Sequence, residues 1–196
     1  MAAKTIYIFR HGQTDYNATG RVMGRLDIPL NETGIQQATE LANKMSGIDI
    51  KAIYSSPLSR AMQTAQIVAN KIGVKITPND GLMERHNGNL QGHIVHITDN
   101  PEQYQTDYKQ TELVLPAEQL NDENWRPEGG ESRIECFKRA QQTITDIIKT
   151  SPYDTIAIST HGGPMVGILD LVGGTSERIG NCDYVKLTFD GKKLER

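Results

Sequence analysis

The sequence is poor in the features that tie a protein to a special environment. It has two cysteines in 196 residues, Cys136 and Cys182, and they do not have the spacing of a metal site. It shows no apolar run of the roughly 20 residues that cross a membrane, no basic leader, no low-complexity tract and no internal repeat. We therefore expect neither a disulfide scaffold nor a membrane-spanning helix. We expect a soluble cytoplasmic protein with reduced thiols.

An excess of charge of one sign is also lacking. Lysine and arginine number 21 against 24 aspartates and glutamates, a formal net charge of −3, which argues against a nucleic-acid surface. Any anion site must then be built locally. With 37% hydrophobic residues the chain can bury a core unaided, so we expect one globular domain over residues 1–196. A homo-oligomer is left open.

What the chain does contain is a strand that ends in reactive side chains. Thr5-Ile6-Tyr7-Ile8-Phe9 is rich in β-branched and aromatic residues, which predicts a buried strand, and Arg10, His11 and Gly12 follow at once. Ligands of open α/β sheets bind at the carboxyl ends of the strands. Arg10 supplies a forked cation suited to phosphate, and a neutral His11 is a nucleophile that can accept a phosphoryl group. Alone, this three-residue run is a weak motif.

A second strand, Ala52-Ile53-Tyr54-Ser55, is followed by a helix with Arg60 in its first turn. A cation there is mildly unfavourable against the helix dipole, and an anion bound by both Arg60 and the helix N-terminus would explain it. The alternative is that Arg60 is a solvated surface residue that binds no anion.

The second half of the chain contains a second strand that ends in a histidine followed by glycine, as the first strand does. Asp154 to Thr160 predicts another buried strand, and it ends in His161-Gly162-Gly163 before a helix. Two histidines at the carboxyl ends of two parallel strands can face one pocket. A capping box, Ser132 and Glu135, predicts the start of the clearest helix, and Tyr184 to Phe189 predicts a last strand at a sheet edge.

One helix and two loops connect these pieces. Asn31 is a predicted N-cap, and the helix after it runs to Gly47 with a buried face of Ile35, Ala38, Ala42 and Met45. Asp15 to Leu30 is a predicted polar loop that lines the site. The glycine-rich stretch from Gly81 to Gly92 is a functional-loop candidate, and its central residue is Glu84. An ordinary solvated carboxylate paired with Arg85 is the alternative.

The pattern weakens from His93 to Glu128. A short helix from Asn100 to Lys109 is predicted within an otherwise irregular, acidic excursion from the core. A metal site formed by His86, His93 and His96 is a minor hypothesis, because the segment has no convincing ligand geometry and no cysteine.

Together these pieces resemble the histidine phosphatase, or phosphoglycerate mutase-like, superfamily. The matching motifs follow the family's order along essentially the whole chain: Arg10-His11-Gly12 with Asn17, Ser55-Ser56-Pro57-Leu58-Ser59-Arg60-Ala61 with Thr64-Ala65, Glu84, Gly129-Gly130-Glu131-Ser132, and Thr160-His161-Gly162. The resemblance implies a three-layer α/β/α sandwich with a mostly parallel sheet and an antiparallel edge strand. It also makes the excursion a cap-like insertion at about residues 93–128.

The resemblance implies a role for each matching residue. His11 would attack phosphorus and become phosphohistidine, while Glu84 would protonate the leaving oxygen and then activate water. The expected phosphate-binding residues are Arg10, Arg60, His161 and Asn17. The expected substrate pocket adds Met23, Gly24, Arg85, Asn87 and Gly162. The arginines and an imidazolium would supply the positive charge, so no metal or cofactor is expected, and a small phosphomonoester is the expected partner.

Alternatives remain open on function. A cysteine phosphatase is excluded, because neither cysteine is followed six residues later by arginine, and no Asp-x-Asp or Gly-Lys-Ser/Thr phosphate loop is present. A cofactor-dependent phosphoglycerate mutase is the first alternative to a phosphatase, because the stretch from Glu84 to Gly92 is close to that of the glycolytic mutases. Yet Asn87 stands where those enzymes usually have tyrosine, and Gly163 where they have asparagine. A sensor that binds phospho-ligands without turnover is the second alternative.

Overall fold

The computed structural model describes residues 2–98, 112–174 and 179–196. Its strands are β1 Lys4–Arg10, β2 Ala52–Ser55, β3 Lys75–Pro78, β4 Ile94–Thr98, β5 Glu112–Pro116, β6 Thr155–Thr160, β7 Tyr184–Phe189 and β8 Leu194–Glu195. Its α-helices are α1 Asp15–Ala18, α2 Glu32–Met45, α3 Ser59–Ile72, α4 Ala117–Asn121, α5 Arg133–Thr150 and α6 Gly162–Asp170. None of the helices in these ranges is long and apolar enough to cross a membrane.

The main sheet has six strands in the order β3-β2-β6-β1-β7-β8. β1 pairs in parallel with β6, β6 with β2 and β2 with β3, whereas β7 is antiparallel to β1. In the β1–β6 register Arg10 lies opposite Thr160, so the two following histidines leave the sheet side by side. This arrangement confirms the expected mostly parallel sheet, and the antiparallel strand that was expected at its edge, β7, lies one strand in from the edge.

Alternation along β1 divides the core into two layers. Ile6 and Ile8 face one side, where they join the apolar residues of α5 and α6. Tyr7 and Phe9 face the other side and join those of α2 and α3. Helices therefore cover both faces of the sheet, which confirms the three-layer α/β/α prediction.

Several local predictions are confirmed and one helix face is corrected. The Asn31 side chain accepts a hydrogen bond from the Gly34 backbone, and Ser132 and Glu135 form the predicted capping box. Ile35, predicted as buried, is 49% exposed, because the buried stripe of α2 starts one residue earlier, at Gly34. The predicted loop from Asp15 to Leu30 begins with the short helix α1.

Two pairings were not predicted. The charged C-terminal tail contains β8, which pairs with β7 and takes the sheet edge that was predicted for β7. Within the excursion, β4 and β5 form a separate parallel two-stranded sheet. The predicted helix from Asn100 to Lys109 lies outside the described residues.

Candidate active site

His11 lies at the end of β1 with a defined tautomer. Its side chain is buried, and its Nδ1 is 2.6 Å from the carbonyl oxygen of Gly12. Because a carbonyl oxygen only accepts, Nδ1 carries the hydrogen and Nε2 of the neutral ring keeps its lone pair. Burial, followed by the charges of Arg60 and Arg10, lowers the pKa of His11 from 6.5 to about 3. His11 is thus a neutral imidazole at neutral pH, and its Nε2 lone pair is the one not engaged by the Gly12 carbonyl.

Arg60 is fully buried, so the alternative of a solvated surface arginine is wrong. Its Nη1 donates to the Leu26 carbonyl at 2.9 Å and its Nη2 to the Gly24 carbonyl at 2.7 Å. Its buried Nε has no hydrogen-bond partner in the described part of the chain. Burial lowers the pKa of Arg60 to about 10, which leaves it cationic at neutral pH.

His161 follows β6 and shares this pocket. Its ring centroid lies 5.1 Å from that of His11, which confirms that the two histidines meet. Its Nε2 is 2.7 Å from Ser56 Oγ, while its buried Nδ1 has no partner among the described residues. Burial and then the charge of Arg60 hold the pKa of His161 well below 6.5. The His161 ring is therefore neutral in the protein without a ligand, because a buried ring beside a guanidinium favours the neutral form. The imidazolium expected opposite a bound phosphate stays a prediction.

The remaining expected charges flank Gly162. Arg10 is half-buried, and its Nη1 donates to the Ile179 carbonyl at 2.6 Å. A Cβ atom placed on Gly162 would lie 4.0 Å from both Arg10 Nε and Glu84 Oε2. The absence of a side chain at Gly162 thus leaves open the space between the cation and the carboxylate.

Glu84 is held by backbone donors. Its Oε1 accepts from the backbone N–H of Arg85 at 2.8 Å and from that of Gly163 at 3.2 Å. Gly163 belongs to the first turn of α6, where unpaired N–H groups and the helix dipole favour a carboxylate. Arg85 contacts the Glu84 carboxylate through its backbone, unlike the side-chain pair of the alternative interpretation.

Asn17 presents its amide nitrogen. Its Oδ1 accepts from the Thr14 backbone at 3.2 Å and lies 3.4 Å from Asn181 Nδ2. The same Asn181 nitrogen donates to the His11 carbonyl at 3.0 Å. The oxygen of Asn17 is thereby occupied, and its Nδ2 remains the group that can donate. Asn181 was not predicted, since nothing in its local sequence marks it as a neighbour of β1.

The five further pocket residues divide into two groups. Met23 Sδ accepts a hydrogen bond from Thr14 Oγ1 at 3.1 Å, and the Gly24 carbonyl accepts one from Arg60. Both residues therefore contact side chains beside the pocket. Arg85, Asn87 and Gly162 instead line a cavity of about 360 Å³ that also includes Glu84.

An ion pair fixes the segment that carries Glu84. Arg139 Nη2 lies 2.8 Å from Glu131 Oε2, and Arg139 Nη1 donates to the carbonyls of Gly81 and Met83 at 2.9 Å each. This explains the position of Glu131 in the Gly129-Gly130-Glu131-Ser132 motif. Arg139 itself was not singled out, because a mid-helix arginine carries no motif signal.

The described residues contain no group of three histidine, cysteine or acidic side chains arranged to hold a metal ion. His86 Nδ1 accepts from the Gly88 backbone at 3.1 Å, and His96 lies 3.2 Å from Glu112. The geometry of this region therefore gives the histidine metal hypothesis no support.

The chain is similar to known proteins in both sequence and structure. A family model described as histidine phosphatase superfamily, branch 1, matches residues 6–195. The chain is 34% identical over 197 aligned residues to phosphoglycerate mutase-like protein 4 of Arabidopsis thaliana, covering 96% of this chain and 81% of that protein. It is 32% identical over 155 residues to glucosyl-3-phosphoglycerate phosphatase of Mycobacterium tuberculosis, covering 78% of this chain and 64% of that enzyme, just under two thirds. The solved structure of the mycobacterial glucosyl-3-phosphoglycerate phosphatase with VO3 matches with a TM-score of 0.77 at 26% identity, covering 94% of this chain and 90% of that one.

Proposed function

The chain belongs to the histidine phosphatase superfamily, branch 1, and we propose that it hydrolyses a small phosphomonoester through a phosphohistidine on His11. Phosphatases are among its relatives, and phosphomonoester hydrolysis is the function that family and site support together. The observation that carries the role of His11 is its tautomer. A neutral ring whose Nδ1 is engaged by the Gly12 carbonyl offers only Nε2 for attack.

In the first step His11 Nε2 attacks phosphorus in line with the ester oxygen. The N–P bond forms as the P–O bond to the leaving group breaks, and Glu84 in its acid form gives its proton to the departing oxygen. The product alcohol leaves, and the phosphoryl group remains on His11. Glu84 is now a carboxylate, stabilised by the N–H groups of Arg85 and Gly163.

In the second step Glu84 takes a proton from a water molecule that attacks the phosphohistidine. The N–P bond breaks, inorganic phosphate forms, and both His11 and Glu84 return to their starting states. One carboxyl group thus serves as acid and then as base on the same side of phosphorus.

Four side chains bind the phosphoryl oxygens in this proposal: Arg10, Arg60, His161 and Asn17. The buried Nε of Arg60 and Nδ1 of His161 support it, since a buried polar atom without a partner costs about 1–3 kcal/mol unless a ligand engages it. A phosphate dianion would engage both and would raise the pKa of His161. The guanidinium groups then neutralise the charge that develops in the transition state.

Release of inorganic phosphate from phenyl phosphate tests the function, and His11→Ala tests the nucleophile. Wild-type protein is expected to turn over the ester and, after rapid quenching with labelled substrate, to carry an acid-labile phosphoryl group. The His11→Ala variant is expected to lose both signals. His96→Gln, at a histidine outside the pocket, is the matched control and is expected to keep both. Turnover by His11→Ala at the wild-type rate would contradict the mechanism.

We further propose that residues 93–128 form a cap over the pocket within a single domain of residues 1–196. Backbone hydrogen bonds join the loop after β1 to the base of this segment, from Val22 N–H to the His93 carbonyl at 2.9 Å and from Gly92 N–H to the Val22 carbonyl at 2.8 Å. A cytoplasmic location is likewise a proposal, supported by the free thiols of Cys136 and Cys182.

A phosphoglycerate mutase is the second candidate. The stretch from Glu84 to Gly92 and the phosphoglycerate mutase-like relative favour it. The charges available for a second phosphate argue against it.

A further inference from the structure

Ser56 is a buried serine that the proposed mechanism does not use. It follows β2, it is fully buried, and its backbone N–H donates to the Ser159 carbonyl of β6 at 3.0 Å. Because Ser55 lies opposite Ser159 in the parallel pairing of β2 with β6, the next residue lies beside the end of the strand that leads to His161. The register of the sheet thereby brings Ser56 Oγ to 2.7 Å from His161 Nε2.

The direction of this hydrogen bond follows from the other partner of the hydroxyl group. A serine hydroxyl has one hydrogen to donate and lone pairs that accept. The Leu58 backbone N–H donates to Ser56 Oγ at 3.3 Å, which leaves His161 Nε2 as the acceptor available to the hydroxyl hydrogen among the described residues. If Nε2 carried a hydrogen instead, the buried hydroxyl hydrogen would have no acceptor among them, which is costly. Ser56 therefore donates to Nε2.

The neutral His161 ring then carries its hydrogen on Nδ1. A neutral imidazole has one N–H group and one lone pair, and the lone pair is here engaged at Nε2. Burial and the charge of Arg60 keep the ring neutral by lowering its pKa. Nδ1 is itself buried and has no hydrogen-bond partner in the part of the chain that the structure describes. The ring thus holds an N–H donor with no protein acceptor in that part of the chain.

The two histidines of the pocket have different hydrogen-bond partners, and these give them complementary roles. His11 Nδ1 donates to the Gly12 carbonyl, so the Nε2 lone pair is left for attack on phosphorus. His161 Nε2 accepts from a hydroxyl group, so the Nδ1–H group is left to donate. The ring centroids are 5.1 Å apart, so a phosphoryl group on His11 lies beside the His161 ring. One ring supplies the electron pair, and the other supplies a hydrogen for a phosphoryl oxygen.

We propose that Ser56 is a positioning residue: its hydroxyl group fixes the tautomer of His161 that donates from Nδ1 to a phosphoryl oxygen. The inference rests on the proposed function, because it concerns the same phosphoryl group. The other neutral tautomer would direct the Nδ1 lone pair at that oxygen and repel it. Through Ser56 the ring can bind phosphate without first taking up a proton.

The tautomer can be measured in ligand-free protein, without turnover. Nitrogen NMR of protein with isotope-labelled histidine distinguishes a protonated from an unprotonated ring nitrogen, and His161→Asn assigns the His161 signals. We expect wild-type protein at pH 7 to show a protonated Nδ1 and an unprotonated Nε2. Ser56→Ala is expected to shift the ring to a mixture of the two neutral tautomers, whereas Ser56→Thr keeps a hydroxyl group and is expected to keep the wild-type pattern. A wild-type ring protonated at Nε2 alone would overturn the inference.

The affinity for inorganic phosphate measures the consequence. Ser56→Ala is expected to bind phosphate about tenfold more weakly than wild-type protein, the loss typical of one charge-assisted hydrogen bond, and to lose a similar factor in kcat/KM for phenyl phosphate. Ser56→Thr is expected to restore both. Wild-type phosphate affinity in Ser56→Ala would contradict the proposed role.

Ser159→Ala is the matched control. Ser159 is also fully buried, and its hydroxyl group donates to the Ala61 carbonyl at 2.9 Å, so the variant loses one buried hydrogen bond without touching the imidazole. It is expected to keep both the tautomer and the phosphate affinity. An equal loss of affinity in Ser159→Ala and Ser56→Ala would show a general loss of packing and overturn the inference. No turnover by wild-type protein that shows the expected tautomer and phosphate affinities would overturn the phosphatase function and leave the role of Ser56 in phosphate binding intact.

Discussion

The burial of a neutral histidine links the chemistry of the site to the stability of the fold. The pKa of His11 is about 3 in the folded chain and about 6.5 in an exposed histidine, so the unfolded chain binds more protons between these values. Stability from this residue is complete above pH 6.5 and is lost as the pH falls toward 3. At pH 5 the loss is roughly 2 kcal/mol by linkage.

Urea unfolding of wild-type protein and His11→Asn at pH 7 and pH 5 measures this contribution. The wild-type free energy of unfolding is expected to fall by about 2 kcal/mol more than that of the variant between the two pH values. Groups that do not interact with His11 titrate equally in both proteins and cancel in the comparison. An equal fall in both would show that His11 is not buried in the neutral form.

Glu84 can be tested through the leaving group. Glu84→Gln keeps the side-chain size but cannot donate and recover a proton, so we expect a loss of about 10²–10⁴-fold in kcat for an alkyl phosphate. The first step on 4-nitrophenyl phosphate should lose much less, because its leaving oxygen needs little protonation. Burst-phase kinetics separates that step from hydrolysis of the phosphohistidine. Equal losses in the first step for both esters would remove Glu84 from the acid role.

At the scale of elements, the first turn of α6 positions the acid. A Cβ atom on Gly163 would lie 2.4 Å from Glu84 Oε1, so Gly163→Ala must displace the carboxylate. Alanine in a helix is intrinsically more favourable than glycine by about 0.8–1.0 kcal/mol, so the fold should survive. We expect kcat for an alkyl phosphate to fall by about tenfold or more, with an unchanged or higher melting temperature.

Gly47→Ala is the control for that variant, because a Cβ at Gly47 meets no atom within 4 Å. It is expected to keep kcat. Wild-type kcat in Gly163→Ala would show that the contact of Glu84 with α6 does not matter for the reaction.

The elements also show what sequence can and cannot predict. Asn31 as an N-cap and the capping box at Ser132 depend on neighbours three residues away, and both were predicted. The predicted buried face of α2 was wrong at Ile35. The rotation of this helix about its axis is set by the close contact of Gly34 with the loop after β1, which the sequence pattern does not show. β8 was missed because a two-residue strand has no periodicity of its own and depends on pairing with β7.

The residues of the site likewise divide into those that the sequence could predict and those that it could not. His11 and His161 could be predicted together, because each ends a strand and is followed by glycine, and parallel strands bring such ends to one edge. Asn181 and Arg139 could not, because their contacts join segments that lie far apart in sequence. Their function depends on the tertiary arrangement alone.

At the scale of the whole molecule, the distribution of charge helps to decide whether the protein is a phosphatase or a mutase. Residues 93–128 hold eight acidic side chains against Lys109 and Arg126, so the proposed cap would repel a bisphosphorylated acid. Of the cations nearby, Arg21 Nη1 donates to the Gly92 carbonyl at 2.8 Å, and Arg25 Nη2 lies 3.6 Å from Glu131 Oε2. These contacts engage Arg21 and Arg25, and Arg85, whose buried Nε has no hydrogen-bond partner among the described residues, remains a candidate cation for a second phosphate.

A mutase must retain a small polyanion through two phosphoryl transfers and keep water from the phosphohistidine, which requires a cationic, closed cap. We therefore expect that incubation with 3-phosphoglycerate and a trace of 2,3-bisphosphoglycerate yields inorganic phosphate faster than 2-phosphoglycerate. Phosphorus NMR follows both products in one sample, and His11→Ala gives the background of each. Rapid formation of 2-phosphoglycerate, faster than phosphate release from any ester tried, would identify a mutase instead, because only a site that holds the bisphosphate against water can return the phosphoryl group to the acid.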